Sequence, residues 1–472
     1  MVRRYLTKSR FTLAHTCNTK LFYTNKPEYA NSNQDDGFLA SLAEGGKVVG
    51  ELAKLYFPGG YTVTHQNDEQ ALLETNQLLL QDHAIIFEAA VAVENLFCRI
   101  DVLVKRGREV KLIEVKSKSI DANADDPFRG RHGGISSEWK KYLLDVAFQR
   151  LVLRDAFPEY LVSSWLMCVD KTQECTVDGL YQLFQMEKDG FRSSCRYIGN
   201  PQKDSICPQI LKKFGVDQHI DELYRCRDDY GGRSFEDYVR WLANHYTSDT
   251  RIPPKIGVHC KNCEFRCTQT QRDEGFRDGF RECWSHELKW TETDFERPTI
   301  FDLYDFRPKS QLIDERRIAL DDLTEEDIGT DTDDEPGLHP KKMQCVRLAF
   351  LKSDRDGFFF DADGFREVKR NWQFPLHFID FETAAPPVPL HRRLRPYQSL
   401  AFQFSHHVLY EDGKIEHAGQ YLNTDYGAYP NFDFLRNLMA SLEVHPGTIF
   451  RYASHENTIL NHIKNITCHP PI

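Results

Sequence analysis

The sequence predicts a mixed α/β protein with more than one folded unit, and three observations predict it. Strand-like apolar stretches at 84–93, 97–105, 109–116 and 161–168 interleave with helical patterns at 37–56, 137–156 and 233–246. The chain has 472 residues, more than one core usually organises. Beyond residue 373 the pattern restarts, with strands at 375–381, 399–409, 414–422 and 448–453 and helices at 430–442 and 455–463.

These elements divide the chain into three regions. Residues 1–290 read as one α/β domain closed by a cysteine-rich segment at 257–284. Residues 291–372 read as a connecting region. Its stretch 321–335 carries nine acidic and few apolar residues and is expected to lack a core of its own. Residues 373–472 run three strands, helix, strand, helix, the order at the front of an RNase H-like domain, here expected to be partial.

Hydrophobic residues make up 40% and charged residues 28% of the chain. No apolar run nears the roughly 20 residues that span a bilayer, so no membrane partner is expected. The N-terminal MVRRYLTKSRF lacks the apolar centre of a signal peptide, and a cytoplasmic location follows. Thirteen cysteines without an export signal argue against a disulfide framework and make some of them candidate metal or cluster ligands. The net charge of −11 excludes a generic basic nucleic-acid binder. Local basic groups that could meet phosphate occur at 105–108, 111–118, 129–132 and 391–395, and each reads equally well as a solvated surface run.

Two β-branched strands joined by a turn at 106–108 carry Asp101 on the first and Glu114 and Lys116 on the second. Alternation puts Glu114 and Lys116 on one face, with Ile113 and Val115 on the other, and Asp101 can meet Glu114 across the hairpin. Two carboxylates offer hard oxygen ligands to Mg²⁺ or Mn²⁺. A lysine beside them can orient water and offset charge at a reacting phosphate. The competing reading is an exposed hairpin with ordinary ion pairs. Glu88 on the preceding strand, Glu51 on the first helix and Gln149 on the later helix are further candidates for this site.

Cys260 and Cys263 form a C-x-x-C, followed by Cys267 and Cys283, with Cys17 far upstream. The local set Cys260, Cys263, Cys267 and Cys283 suits zinc. The split set Cys17, Cys260, Cys263 and Cys283 suits a 4Fe–4S cluster. Ordinary reduced cysteines are the third reading.

Taken together, Cys17 with its following Lys-Leu-Phe-Tyr, the D…ExK hairpin, the Gln149 helix and the trailing cysteines resemble the RecB-like nucleases of PD-(D/E)xK type, over about residues 1–290. The likeness is to those with an iron–sulfur cluster, the CRISPR-adaptation and AddB types. The resemblance implies a restriction-endonuclease-like core, with Asp101, Glu114 and Lys116 catalytic. It also implies a structural 4Fe–4S cluster on Cys17, Cys260, Cys263 and Cys283, with Cys267 spare. The chain departs from that pattern in three places. The first helix has no histidine, so Glu51 takes the vacant metal position. The family's GxxD is Cys98-x-x-Asp101, and its Q-x-x-x-Y is Gln149 followed by Leu153.

In the C-terminal region Asp380 and Glu382 form a D-x-E on a strand, which resembles the first motif of DEDD exonucleases, where both carboxylates bind metal. Glu456 stands where that family's second-motif aspartate would be. No acidic residue follows Glu456, so the chain is expected to be a fragment or to carry an incomplete second site. The function expected from these readings is metal-dependent hydrolysis of DNA phosphodiester bonds, of exonuclease character. The alternatives are a non-catalytic nucleic-acid-binding scaffold with a RecB-like fold and a zinc-ribbon protein.

Overall fold

A computed structural model describes residues 4–34, 37–189, 192–200, 206–329, 339–352, 358–425 and 427–467. The chain is mixed α/β and folds into two compact units. The first comprises residues 1–12, 37–244 and 373–472, and the second residues 13–36 and 245–372.

The first unit is built on a seven-stranded sheet. Its central strands are β1 (His83–Val93), β2 (Leu96–Arg106), β3 (Glu109–Ile120) and β4 (Leu161–Asp170). β1, β2 and β3 run antiparallel in turn, and β3 pairs parallel with β4. A short β5 (Leu211–Gly215) closes one edge antiparallel to β4, and Tyr61–Thr62 pairs with β1 at the other. Leu6–Thr7 adds a parallel pairing to β2. The strands form where β-branched and apolar residues alternate with polar ones, as in β3, where Ile113 turns to the core and Glu114 away from it.

The helices α1 (Lys8–Thr16), α2 (Gly37–Leu55) and α3 (Ser137–Ala156) supply the layers. α2 packs Val48, Val49 and Leu52 in one cluster with Val102 and Ile113. α3 is buried on most sides through its middle, with Leu143, Val146, Ala147, Phe148, Leu151 and Val152 inaccessible, as in a helix enclosed by other elements. It lies over the opposite face of the sheet. Phe11 of α1 stacks on Phe148 with ring centroids 5.2 Å apart, fixing α1 against α3.

The C-terminal region of this unit forms a four-stranded sheet of β6 (Leu376–Ala384), β7 (Leu400–Leu409), β8 (Ile415–Leu422) and β9 (Thr448–Arg451), with α4 (Asn431–Leu442) and α5 (His455–Thr467). The order is β8-β7-β6-β9, antiparallel except for the parallel β6–β9 pair. Ile379, Phe381 and Phe404 of one sheet face pack against Phe434, Leu438, Ile459 and Ile463 of the two helices. The 385–398 segment between β6 and β7 leaves this small sheet and docks on the larger one. Val388 is completely buried among core residues there. Main-chain bonds run from Cys175 to Leu394, from Arg393 to Cys175 and from Gly179 to Leu390.

The second unit is made of short helical turns around Trp284, Ile300, Leu303, Phe306, Ile318 and Leu320, all buried. Here the structure corrects the sequence reading twice. Residues 13–36 and 245–290 group with residues 291–372, not with the α/β sheet. The stretch expected to have no core buries Leu323 and Ile328. Its isolated apolar residues lie one or two to a turn, so no window shows a helical period. Several of the acidic residues close helix N-termini, as Asp294, Asp302 and Asp327 do with Thr291, Thr299 and Thr324. Residues 330–338 of the acidic stretch lie outside the described residues. No helix among the described residues is long and apolar enough to cross a membrane.

Candidate functional site

The β2–β3 ladder pairs Val102 with Ile113, and the register continued one step sets Asp101 opposite Glu114. Beyond that point a side chain does the pairing, because the Val115 N–H donates to Asp101 Oδ2 at 2.7 Å. On β1, Phe87 pairs with Val102 and Ala89 with Ile100, which leaves Glu88 facing Asp101. Glu88 has φ +56°, a left-handed conformation that a non-glycine residue holds only under local constraint. Three neighbouring strands thus direct Glu88, Asp101 and Glu114 to one place.

Two helices close over it. Lys8 and Thr12 lie four apart on α1, and Asp145 and Gln149 lie four apart on α3, so each helix presents two residues on one face. Lys8 Nζ donates to Glu114 Oε1 at 2.6 Å, and Gln149 Nε2 donates to Glu114 Oε2 at 2.7 Å. Lys116 Nζ bridges Glu114 Oε1 and Asp145 Oδ2, both at 2.7 Å. Thr12 Oγ1 donates to Asp145 Oδ1 at 2.6 Å. Lys8 and Asp145 were not singled out in the sequence. Asp145 carried a usable signal, its four-residue spacing from Gln149, whereas a lone Lys8 near the N-terminus carried none.

Charge is divided unevenly in this cluster. Burial works to raise the Glu114 carboxyl, which is 1% exposed, but Lys116 and Lys8 overcome it and hold it far below the carboxylate range. Asp101 takes a hydrogen bond from the Val115 backbone N–H and feels the Lys8 charge. Its own burial, with Glu114 and Glu88 nearby, pushes it up to about 7. Burial also raises Glu88. Lys116 is pressed down by burial, but Glu114 and Asp145 outweigh this and keep it protonated above the usual lysine value. Gln149 Oε1 is buried and has no hydrogen-bond partner among the described residues. Glu88, Asp101 and Glu114, with the unpartnered Gln149 amide oxygen, are hard oxygen donors of the type that divalent cations take.

Glu51 stands one step away. It holds Lys54 in an ion pair, and it is Lys54 whose charge bears on Glu88.

In the second unit Cys17, Cys260, Cys263 and Cys283 line one cavity of about 20 Å³. Burial pushes Cys260 up to about 11 and Cys263 up to about 12, and raises Cys283 as well. Polar groups nevertheless lie beside one of the sulfurs. Tyr23 Oη lies 3.3 Å from Cys283 Sγ, and Arg251 Nη2 donates to the same sulfur at 3.8 Å. The fully buried Trp284 lines the same cavity, and its Nε1 has no hydrogen-bond partner among the described residues. Four thiols lining one cavity, one of them beside hydroxyl and guanidinium groups, are of the ligand type that a tetrathiolate metal or cluster site uses. Cys267 is turned elsewhere, its thiol donating to the carbonyls of Phe276 and Arg277 at 3.8 and 3.3 Å. The local four-cysteine set that included it is not assembled.

Asp380 and Glu382 are exposed on the open face of the β6 sheet, alternating with core-facing Ile379 and Phe381. Glu456 is 4% exposed on the helix face that carries Ile459 and Ile463, and its Oε2 has no partner among the described residues. As placed, no three Cys, His, Asp or Glu side chains among the described residues converge closely enough to hold a single ion.

Residues 377–469 match the family model of a domain of unknown function, DUF2779, which covers β6 through α5. No curated protein and no solved structure matches the chain.

Proposed function

We propose that this chain is a divalent-metal-dependent nuclease acting on DNA, with a restriction-endonuclease-like core and a tetrathiolate site of structural role. The observation that carries the reading is the set of contacts Lys8–Glu114–Lys116–Asp145, with Asp101 facing Glu114 and Glu88 facing Asp101. An ion-paired surface hairpin does not bury its glutamate to 1% or surround it from two helices.

Glu88, Asp101 and Glu114 would hold Mg²⁺ or Mn²⁺, which when bound polarises the phosphate and makes hydroxide available near neutral pH. Lys116, charged and clamped by two carboxylates, is placed to orient the attacking water and to offset charge growing on the phosphoryl oxygens, not to accept a proton. Gln149 and Lys8 hold the Glu114 carboxylate in one orientation. Asp101 gives up its proton on loading.

Cys17, Cys260, Cys263 and Cys283 would hold a 4Fe–4S cluster. The narrowness of the cavity favours a second reading, one zinc ion on the same four thiolates. Iron, acid-labile sulfide and zinc analysis of the purified protein separates them. The strand order of the C-terminal sheet supports an RNase H-like front for that region. Asp380 and Glu382 would be its metal carboxylates.

The nuclease reading is tested with Asp101→Ala and Lys116→Ala. Each should abolish Mn²⁺-dependent cleavage of labelled DNA while leaving the cysteine-bound metal in place. Cleavage at the wild-type rate by either variant contradicts it. A non-catalytic scaffold would bind DNA equally in EDTA and cut nothing when Mn²⁺ is restored.

A further inference from the structure

A cavity of about 1210 Å³ in the first unit is lined by the docked 391–398 segment, by α4 and α5, and by Lys171 and Glu174 just after β4; Glu88, Asp101 and Glu114 are not in its lining. It exceeds the roughly 300–1,000 Å³ usual for small-molecule pockets, so it suits an extended ligand.

Its charge is at odds with that of the chain. Lys171, Arg392, Arg393, Arg395 and Arg436 line it in a protein of net charge −11. Some of this charge is compensated, Arg395 by Glu174 at 3.4 Å and Arg436 by Asp433. Asp178 takes the Arg392 main-chain N–H at 2.8 Å and bears on His391. With Asp178 counted, the five cations of the lining exceed its three carboxylates by two, and Arg392 and Arg393 are both exposed. The loop that presents them is fixed. Its main chain is bonded to Cys175 and Gly179, Arg393 and Tyr397 hold left-handed φ of +66° and +63°, and Leu394 is buried. Little entropy is then lost when the guanidinium groups engage a ligand.

Aromatic rings run along the same cavity. His391 meets Tyr429 at 5.6 Å between centroids, and Tyr429 meets Phe432 at 5.3 Å, each pair edge to face. Cations that can follow a phosphate chain, interleaved with flat rings on which bases can stack, are the two elements of single-strand recognition. Duplex DNA keeps its bases stacked on each other and would use only the cations. The cleft also has a direction. Tyr397 at its wall donates its hydroxyl to the carbonyl of Ser117, the residue after Lys116 on β3.

We propose that this cleft binds single-stranded nucleic acid and leads it to the strand that carries Glu114 and Lys116. The inference rests on the nuclease reading only for what happens to the strand on arrival. The DUF2779 region then has a role that requires no metal at Asp380 or Glu382: it supplies arginines and rings to a substrate path on the larger sheet.

The test is fluorescence anisotropy of a 5′-labelled oligo-dT strand with the full chain in EDTA, where cleavage cannot intervene, across a salt series. Arg392→Gln/Arg393→Gln should weaken binding about tenfold and lower the salt slope by about 1.4, at roughly 0.7 per phosphate contact for two contacts. Phe432→Ala should weaken binding several-fold with the slope unchanged, as expected for a lost stacking contact. Unchanged affinity and slope in the arginine variant, absence of wild-type binding, or a blunt duplex bound as tightly as the single strand would each overturn the proposal. Binding that responds to these variants in a protein that never cuts with Mn²⁺ would uphold the cleft and reject the nuclease reading, so the two fail separately.

Discussion

Glu114 takes hydrogen bonds from three side chains on three different elements, Lys8, Lys116 and Gln149, and this decides what each neighbour can do. Removing one cation from so buried a carboxylate leaves the other to balance it. Lys8→Met is therefore expected to cost about 1–3 kcal/mol in chemical denaturation, less than the full loss of a buried pair. The pH behaviour turns on Asp101. Its folded-state pKa, about 7, lies above its unfolded value, so the folded protein binds the extra proton. Metal-free stability should then fall as pH rises from about 4 to 7, by an amount on the order of 1–3 kcal/mol. Asp101→Asn should remove that slope in urea melts run with chelator. Glu114 works in the opposite sense. Its pKa is depressed, so its contribution is present above about pH 4.5 and lost on further acidification. Mn²⁺ affinity, which requires the Asp101 proton to leave, should rise through pH 7 in calorimetric titration. At this scale the sequence disclosed the residues with a motif. Asp101, Glu114 and Lys116 could be read from strand alternation, whereas Lys8 acts across 106 positions and nothing local marks it.

At the scale of elements, legibility follows periodicity. The helices at 37–56 and 137–156 and the strands from 84 to 168 agree with α2, α3 and β1 to β4 because their apolar faces repeat over whole windows. The short turns that bury Ile300, Leu303, Leu320 and Leu323 repeat nothing, and the acidic residues that cap them resemble a linker. The cysteine site is intermediate. The C-x-x-C at Cys260 and Cys263 is visible by spacing, but the choice between Cys17 and Cys267 depends on which thiol reaches the cavity. Cys17→Ala is expected to abolish any absorbance near roughly 400 nm from thiolate-bound iron. Cys267→Ala should leave that absorbance and the bound metal unchanged. Loss of metal in the Cys267 variant would return the local set.

For the whole first unit the decisive feature is the 385–398 segment, which joins the DUF2779 region to the larger sheet through Val388 and Tyr397. Nothing in the sequence foretold it, since main-chain pairing with residues 175–179 leaves no side-chain pattern. Val388→Asp buries an unpaired carboxylate and should lower stability by about 3 kcal/mol or more. If the two sheets form one cooperative body, a single thermal transition shifts; if only the C-terminal region melts early, they do not. The central claim, a metal site on Glu88, Asp101 and Glu114 served by Lys116, is tested most directly by a cleavage assay. It uses 5′- and 3′-labelled single- and double-stranded DNA, with wild type, Lys116→Ala and Asp101→Ala, in Mn²⁺ and in EDTA. The expected result is cleavage by the wild type in Mn²⁺ alone, reduced at least about 10²-fold in both variants. Cleavage that persists in EDTA or in either variant, or its absence from metal-loaded wild type on every substrate, would contradict it.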